Sequence, residues 1–215
     1  MRFQILYSPT YSTLEVELEQ GEEVEAEPGA MMMIEGDVEV KLKSRGILRK
    51  LAARESIFTV KYIAKEKSKV WFVSPFPGDI AYVPLEGKGL IISDKSYLAH
   101  HGDLKQKVVW RGLKGVFGGS GLMWLKVEGN GGVWLSSYGA IMEKEVKDEK
   151  LIIDNVHLLA MEDTLDYKVR KFGGIGTALF GGEGLVLEVR GHGKIYLQTR
   201  NQRSLLESLG IPKVR

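Results

Sequence analysis

Apolar and charged residues alternate along short stretches of this chain, which is the period of a strand with one buried face. Leu14, Val16 and Leu18 alternate with Glu15 and Glu17. Val38, Val40 and Leu42 alternate with Glu39 and Lys41, and Phe58, Val60 and Tyr62 with Thr59 and Lys61. Leu122, Trp124 and Lys126 share one face of a further strand, and Met123, Leu125 and Val127 share the other. Glycine punctuates these runs as turns require. Glu128-Gly129-Asn130-Gly131 and Arg190-Gly191-His192-Gly193 each lie between two apolar runs, so each is expected to form a hairpin loop. Asn and His suit that position because they tolerate positive φ better than most residues. Helix is scarce. Ser204 and Glu207 stand at capping-box spacing and Gly210 and Pro212 follow, which predicts a short C-terminal helix over 204–209. A short turn is expected at 47–53.

The pattern repeats. Lys69-Val70-Trp71-Phe72-Val73-Ser74 returns as Gly132-Val133-Trp134-Leu135-Ser136-Ser137 and as Lys194-Ile195-Tyr196-Leu197-Gln198-Thr199. Upstream, Met31-Met32-Met33 corresponds to Tyr97-Leu98-Ala99 and to Leu158-Leu159-Ala160. Gly36-Asp37-Val38 corresponds to Gly102-Asp103-Leu104, with Leu165 in the last of these places in copy three. Gly118-Gly119-Ser120-Gly121-Leu122 matches Gly181-Gly182-Glu183-Gly184-Leu185, where copy one has Ala53-Arg54-Glu55-Ser56-Ile57. The order is kept in all three copies, with copy one the most diverged. Such repetition fixes architecture before any one residue is interpreted. The expectation is an all-β chain of three tandem β-sandwich-like units: 1–87 with an N-terminal strand, 88–149, and 150–215 with the C-terminal helix.

Composition narrows the class. The chain has 215 residues, 44% of them hydrophobic, enough for a substantial core. It has no cysteine, which excludes disulfides and thiolate-ligated metals. Charged residues make up 27% and nearly cancel at +2, unlike the strong basic excess of a dedicated nucleic-acid binder. Met1 to Tyr7 reads as a first strand rather than a signal peptide, and no apolar run reaches the length of a membrane span. The expected location is the cytoplasm, with no transmembrane segment.

No chemistry-bearing motif emerges. The glycine runs at 115–121 and 173–184 lack the Gly-Lys-Ser/Thr of a phosphate loop and do not fit G-x-G-x-x-G; tight strand connections account for them. His100 and His101 are adjacent, so on a strand they point to opposite faces and do not share an ion. There is no nucleophile elbow and no clustered carboxylate pair. No catalytic residue, metal or cofactor is therefore assigned. Glu143 to Lys150 alternates in sign and is expected to be an exposed turn.

Two residue sets are candidates for binding. Lys41, Lys43, Arg45, Arg49 and Lys50 are matched by Lys105, Lys107 and Arg111 in copy two and by Lys168 and Arg170 in copy three. A zone that is basic three times is a candidate anion-binding surface, against the plainer reading of a solvated lysine-rich face. Trp71, Trp134 and Tyr196 occupy one position in three copies and give each strand a second apolar face. They are candidates for a subunit interface, or for packing between copies within the chain.

Ser74-Pro75, Pro77-Gly78-Asp79-Ile80, Ser96-Tyr97-Leu98-Ala99, Ser136-Ser137-Tyr138-Gly139-Ala140-Ile141, Gly182-Glu183-Gly184-Leu185 and Tyr196-Leu197-Gln198-Thr199-Arg200 stand in the order of one family. The chain resembles the altered-inheritance-of-mitochondria family of bacterial, archaeal and mitochondrial proteins, over nearly its whole length. The resemblance implies three tandem units like the tryptophan RNA-binding attenuation protein, in a double-stranded β-helix type of fold, and a homo-oligomer, first of all a trimer. It transfers no catalytic residue. The chain departs from the family at Ala52-Ala53-Arg54, where relatives carry glycines. Three readings follow: a non-enzymatic oligomeric scaffold or binding module, an RNA- or anion-binding protein using the repeated basic zone, and an enzyme with a pocket between copies.

Overall fold

A computed structural model describes residues 1–44, 58–93, 95–111, 122–171 and 185–210. It is nearly all β. Seven strands come first: β1 (Arg2–Leu6), β2 (Thr13–Leu18), β3 (Glu23–Ala26), β4 (Met31–Glu35), β5 (Val38–Ser44), β6 (Phe58–Ala64) and β7 (Ser68–Val73). Three long strands follow, β8 (Ile80–Ser93), β9 (Tyr97–Arg111) and β10 (Leu122–Ser136). The last six are β11 (Ile141–Lys147), β12 (Leu151–Asp154), β13 (Leu158–Glu162), β14 (Asp166–Lys171), β15 (Leu185–Arg190) and β16 (His192–Gln198); among the described residues one short α-helix follows, α1 (Gln202–Ser208). The strands form three sheets, ordered β1-β2-β7-β4, β11-β16-β13-β8-β10-β9-β3-β6-β5, and β12-β15-β14. Every strand pair within them is antiparallel. Among the described residues no helix is long and apolar enough to cross a membrane.

The segments matched in sequence take matching places in the sheets. Val70 pairs with Val16 on one side and Ile34 on the other. Val133 pairs with Val83 and His100, and Ile195 with Lys144 and Met161. The register slips by one residue at Met32, at Leu98 and at Leu159, so the same bulge stands in all three segments. Val70, Val133 and Ile195 are fully buried, each in a different one of three hydrophobic clusters. Burying such a side chain contributes roughly 1.5–3 kcal/mol.

Several sequence expectations are corrected. Glu128 to Gly131 is not a hairpin loop: β10 runs through it and stays paired with β9 from Leu122 to Trp134. Arg190 to Gly193 is not a hairpin either. Gly191 is a one-residue bend between β15 and β16, which belong to different sheets. These glycines turn a strand around a corner rather than reverse it. Their spacing allows β9 and β10 to approach closely: a Cβ on Gly102, at φ +88°, would meet the Asn130 carbonyl oxygen at 2.4 Å, and one on Gly129 the Asp103 carbonyl oxygen at 2.2 Å. Glu143 to Lys147 lies in strand β11, which leaves only 148–150 as a turn. The helix starts earlier than expected, because Asn201 rather than Ser204 caps it; the Asn201 side-chain oxygen accepts from the Ser204 backbone N–H at 2.8 Å. β8 runs unbroken from Ile80 to Ser93. The turn expected at 47–53 and the glycine runs 115–121 and 173–184 lie outside the described residues.

Gly102→Ala is expected to lower stability by about 2–3 kcal/mol, from the positive φ and the contact with Asn130 together. Gly87→Ala, at φ +75° with nothing near its Cβ position, is expected to lose only about 1 kcal/mol. Urea midpoints with an unchanged slope test the contrast.

Candidate functional site

Buried polar and apolar contacts meet where one segment of the chain pairs with the next. At the first such junction β3 pairs with β9, placing Glu25 opposite His100 and Ala26 opposite Ala99. Glu25 is buried and its carboxylate is amply partnered. Lys43 Nζ donates at 2.6 Å and Thr59 Oγ1 at 3.0 Å, and Lys61 Nζ lies at 3.7 Å. His100 Nδ1 lies 2.5 Å from Tyr97 Oη and 3.1 Å from Gln106 Nε2, and its Nε2 lies 3.7 Å from the Glu25 carboxylate. At the second junction β8 pairs with β13, and Ile91 faces Met161 in the same places. One junction is ionic and the other apolar, on one backbone geometry. His101 points away from His100, as expected of neighbours on a strand. It hydrogen-bonds Tyr82 Oη at 2.9 Å and lies against the ring of Trp134. Burial holds its pKa below the usual histidine value, with the N-terminal ammonium adding to the effect and Glu22 opposing it.

The three aromatic candidates do not share one environment. Trp134 is fully buried and belongs to the first cluster, where Phe3 and Tyr82 pack against it. Tyr196 belongs to the second cluster, and burial raises its phenol to about 12. Each thus fills the core of the segment before its own. Trp71 belongs to none of the three clusters. It lies on the opposite face of β7 from Val70 and Phe72, with Lys69 Nζ 5.8 Å from its ring centre. Glu15 opposite it is buried, which pushes that carboxyl's pKa up. Hydrogen bonds from Lys69, Gln4 and Trp71 outweigh this and hold the pKa below the usual value.

The basic candidates are scattered, and three of them pair with neighbouring carboxylates. Lys41 pairs with Glu39 at 2.8 Å, Lys43 with Glu25, and Arg170 with Glu188 at 3.3 Å. Lys105, Lys107 and Lys168 are exposed. Arg111 ends β9, and Arg45, Arg49 and Lys50 lie outside the described residues. A groove of about 540 Å³ is lined by Lys168, Arg170 and Arg190 but also by Asp166 and Glu188, so its charge is nearly balanced.

The sequence reading passed over one surface. Met31, Met32 and Met33 on β4 are all exposed, Met32 at 52%, and Ile152 on β12 is exposed at 54%. The signal was present: three methionines stand where the other copies have residues that are now seen to be buried.

The family model for mitochondrial biogenesis AIM24 matches residues 3–200, and the chain belongs to that family. It is 29% identical over 214 residues to an uncharacterised protein of Streptococcus pyogenes serotype M6, covering 94% of this chain and 86% of that one. The X-ray crystal structure of a Streptococcus pyogenes protein from a structural-genomics programme is similar at a TM-score of 0.83, with 27% identity. The match covers 97% of this chain and 98% of that one.

Two predictions follow from the junctions. Glu25→Ile alone leaves His100 and Thr59 without their carboxylate and is expected to cost about 3 kcal/mol. Adding His100→Met copies the second junction and is expected to recover at least half of that loss in urea unfolding. A double variant as unstable as the sum of the two singles would show that the junctions are not interchangeable. The second prediction concerns pH. The folded pKa of His101 lies below its unfolded value of about 6.5, so the unfolded chain binds more protons. The His101 contribution is complete above about pH 6.5 and is lost as pH falls through that value toward the folded one. His101→Phe is expected to flatten the fall in unfolding free energy between pH 7 and pH 5.5.

Proposed function

We propose that this member of the AIM24 family is a non-enzymatic β scaffold that works as a homo-oligomer, built of three tandem units of double-stranded β-helix type. The units are counted from β2, β8 and β11, so that no strand is cut. The equivalent pairings of Val70, Val133 and Ile195 and the bulge repeated at Met32, Leu98 and Leu159 support that count. The observation that carries self-assembly is the exposed methionine run on β4. β4 ends its sheet, and a sheet edge of apolar residues is a template for a further strand. Exposed apolar surface of this kind marks an interaction site. Self-assembly in a closed ring satisfies it without a second gene product.

A homotrimer is the first choice. RNA or another anion, held by Lys105, Lys107 and Lys168 with their neighbours, is the lesser reading, because Lys41, Lys43 and Arg170 are already paired with carboxylates. Light scattering behind a sizing column at micromolar concentration is expected to give three times the 24.0 kDa of one chain. A dimer would keep self-association and correct the number. A mass of one chain would overturn the reading.

A further inference from the structure

We propose that copies of this chain join head to tail, with β12 of one copy adding to β4 of the next in one defined antiparallel register. Leu151 then stands opposite Glu35, Ile152 opposite Ile34, and Ile153 opposite Met33. This deepens the self-assembly reading and rests on it.

The register comes from the two junctions inside the chain. At the first, Glu25 and Ala26 pair with His100 and Ala99. At the second, Leu90, Ile91 and Ile92 pair with Glu162, Met161 and Ala160. On the donor side, β12 holds the same place. Ile153 pairs with Leu187 just as Ala26 pairs with Val60 and Ile92 with Leu125. On the acceptor side, β4 holds the place of β9 and β13. Ile34 pairs with Val70 as His100 pairs with Val133 and Met161 with Ile195. β12 and β4 each end a sheet. A third junction thus has both halves present in one chain, neither of them paired at that edge among the described residues.

Packing gives an independent argument. The first cluster is completed by Leu98, Ala99 and Trp134, which belong to the segment that follows it. The second is completed by Leu159, Ala160 and Tyr196, again from the following segment. The third cluster contains no such set. The residues in the corresponding places are Met32 and Met33, both exposed, and Trp71, which is already buried at 7% exposure but belongs to none of the three clusters. The outer side of the junction repeats the logic. Trp124 of the second segment packs on Tyr167 of the third, with ring centres 4.9 Å apart. The corresponding pair at the open ends is Val186 and Val40. Val40 is exposed, on the strand next along from β4. Each side brings apolar groups to the other, in the manner of the second junction rather than the ionic first. The donor and acceptor surfaces differ, so the contact is heterologous and closes as a ring when the rotation between copies allows it.

The chain has no cysteine, so an engineered pair reports without background. Ile34→Cys/Ile152→Cys, oxidised at micromolar concentration, is expected to give covalent multimers on a non-reducing gel, ending at the number of copies found by light scattering. Each single variant is expected to stay uncrosslinked, and Ile34→Cys/Asp154→Cys, two residues out of register, to crosslink at least tenfold less. A mixture of the two single variants is expected to give dimer and nothing larger. A protein that assembles by light scattering but crosslinks no better in this register than out of it would overturn the junction and leave self-assembly standing. Self-crosslinking of either single variant would do the same, by showing a two-fold contact. A disulfide closed within one chain would overturn it too, since the edges would then meet intramolecularly. A monomer by light scattering would remove the self-assembly reading and the junction with it.

Discussion

The structure depends on one antiparallel pairing that joins a segment of the chain to its successor: β3 to β9, and β8 to β13. Backbone hydrogen bonds set the register of each junction, and the register decides which side chains cross it. Because strand side chains alternate, a slip of one residue would send Trp134 and Tyr196 to the solvent face and leave two of the three clusters open. Cores and junctions are therefore not separate features. Leu98 and Leu159 sit at bulges, and the bulge turns each of them into the cluster of the preceding segment rather than its own.

The long strands follow from the same constraint. A strand that pairs within its own segment at one end and with a neighbour at the other must pass through a corner. β8, β9 and β10 run 14, 15 and 15 residues without interruption. Gly102 and Gly129 stand where β9 and β10 bend together, because there is no room for a Cβ between the two backbones. In the first segment the same path is broken into β2 and β3, β4 and β5, and β6 and β7, with short turns at the corners.

Much of this was legible in the sequence. The threefold match at Val70, Val133 and Ile195 falls on three strands, β7, β10 and β16, each paired on both sides, and the adjacency of His100 and His101 put them on opposite faces. What was not legible has physical causes. A glycine pair between apolar runs has the same composition whether the chain reverses or bends, so Glu128 to Gly131 read as a hairpin. Ser204 and Glu207 have capping spacing, but Asn201 stands earlier and caps as well or better. Glu25 gave no signal at all. A lone carboxylate in a short strand looks solvated until β9 is seen to bring His100 to it. The repeated basic zone was real as composition, but composition does not show which lysines already face a carboxylate, as Lys43 does.

The two internal junctions carry different chemistry on the same geometry, and that difference has a use. The apolar Ile91–Met161 contact gains from burial alone and tolerates many partners of similar shape. The Glu25–His100 contact is expensive unless every member is in place: Lys43, Thr59, Tyr97 and Gln106 all reach it. An ionic junction therefore rejects an apolar strand, and an apolar junction rejects a charged one. With the first junction ionic and the second apolar, the segments are less able to pair out of order during folding. That discrimination protects the first junction best, because β4 offers Ile34 where His100 is needed to meet Glu25. A β4 strand from another molecule would leave that carboxylate short of a partner. The exposed apolar strand of one chain is thus poorly matched to the one internal place where its intrusion would displace the network around Glu25.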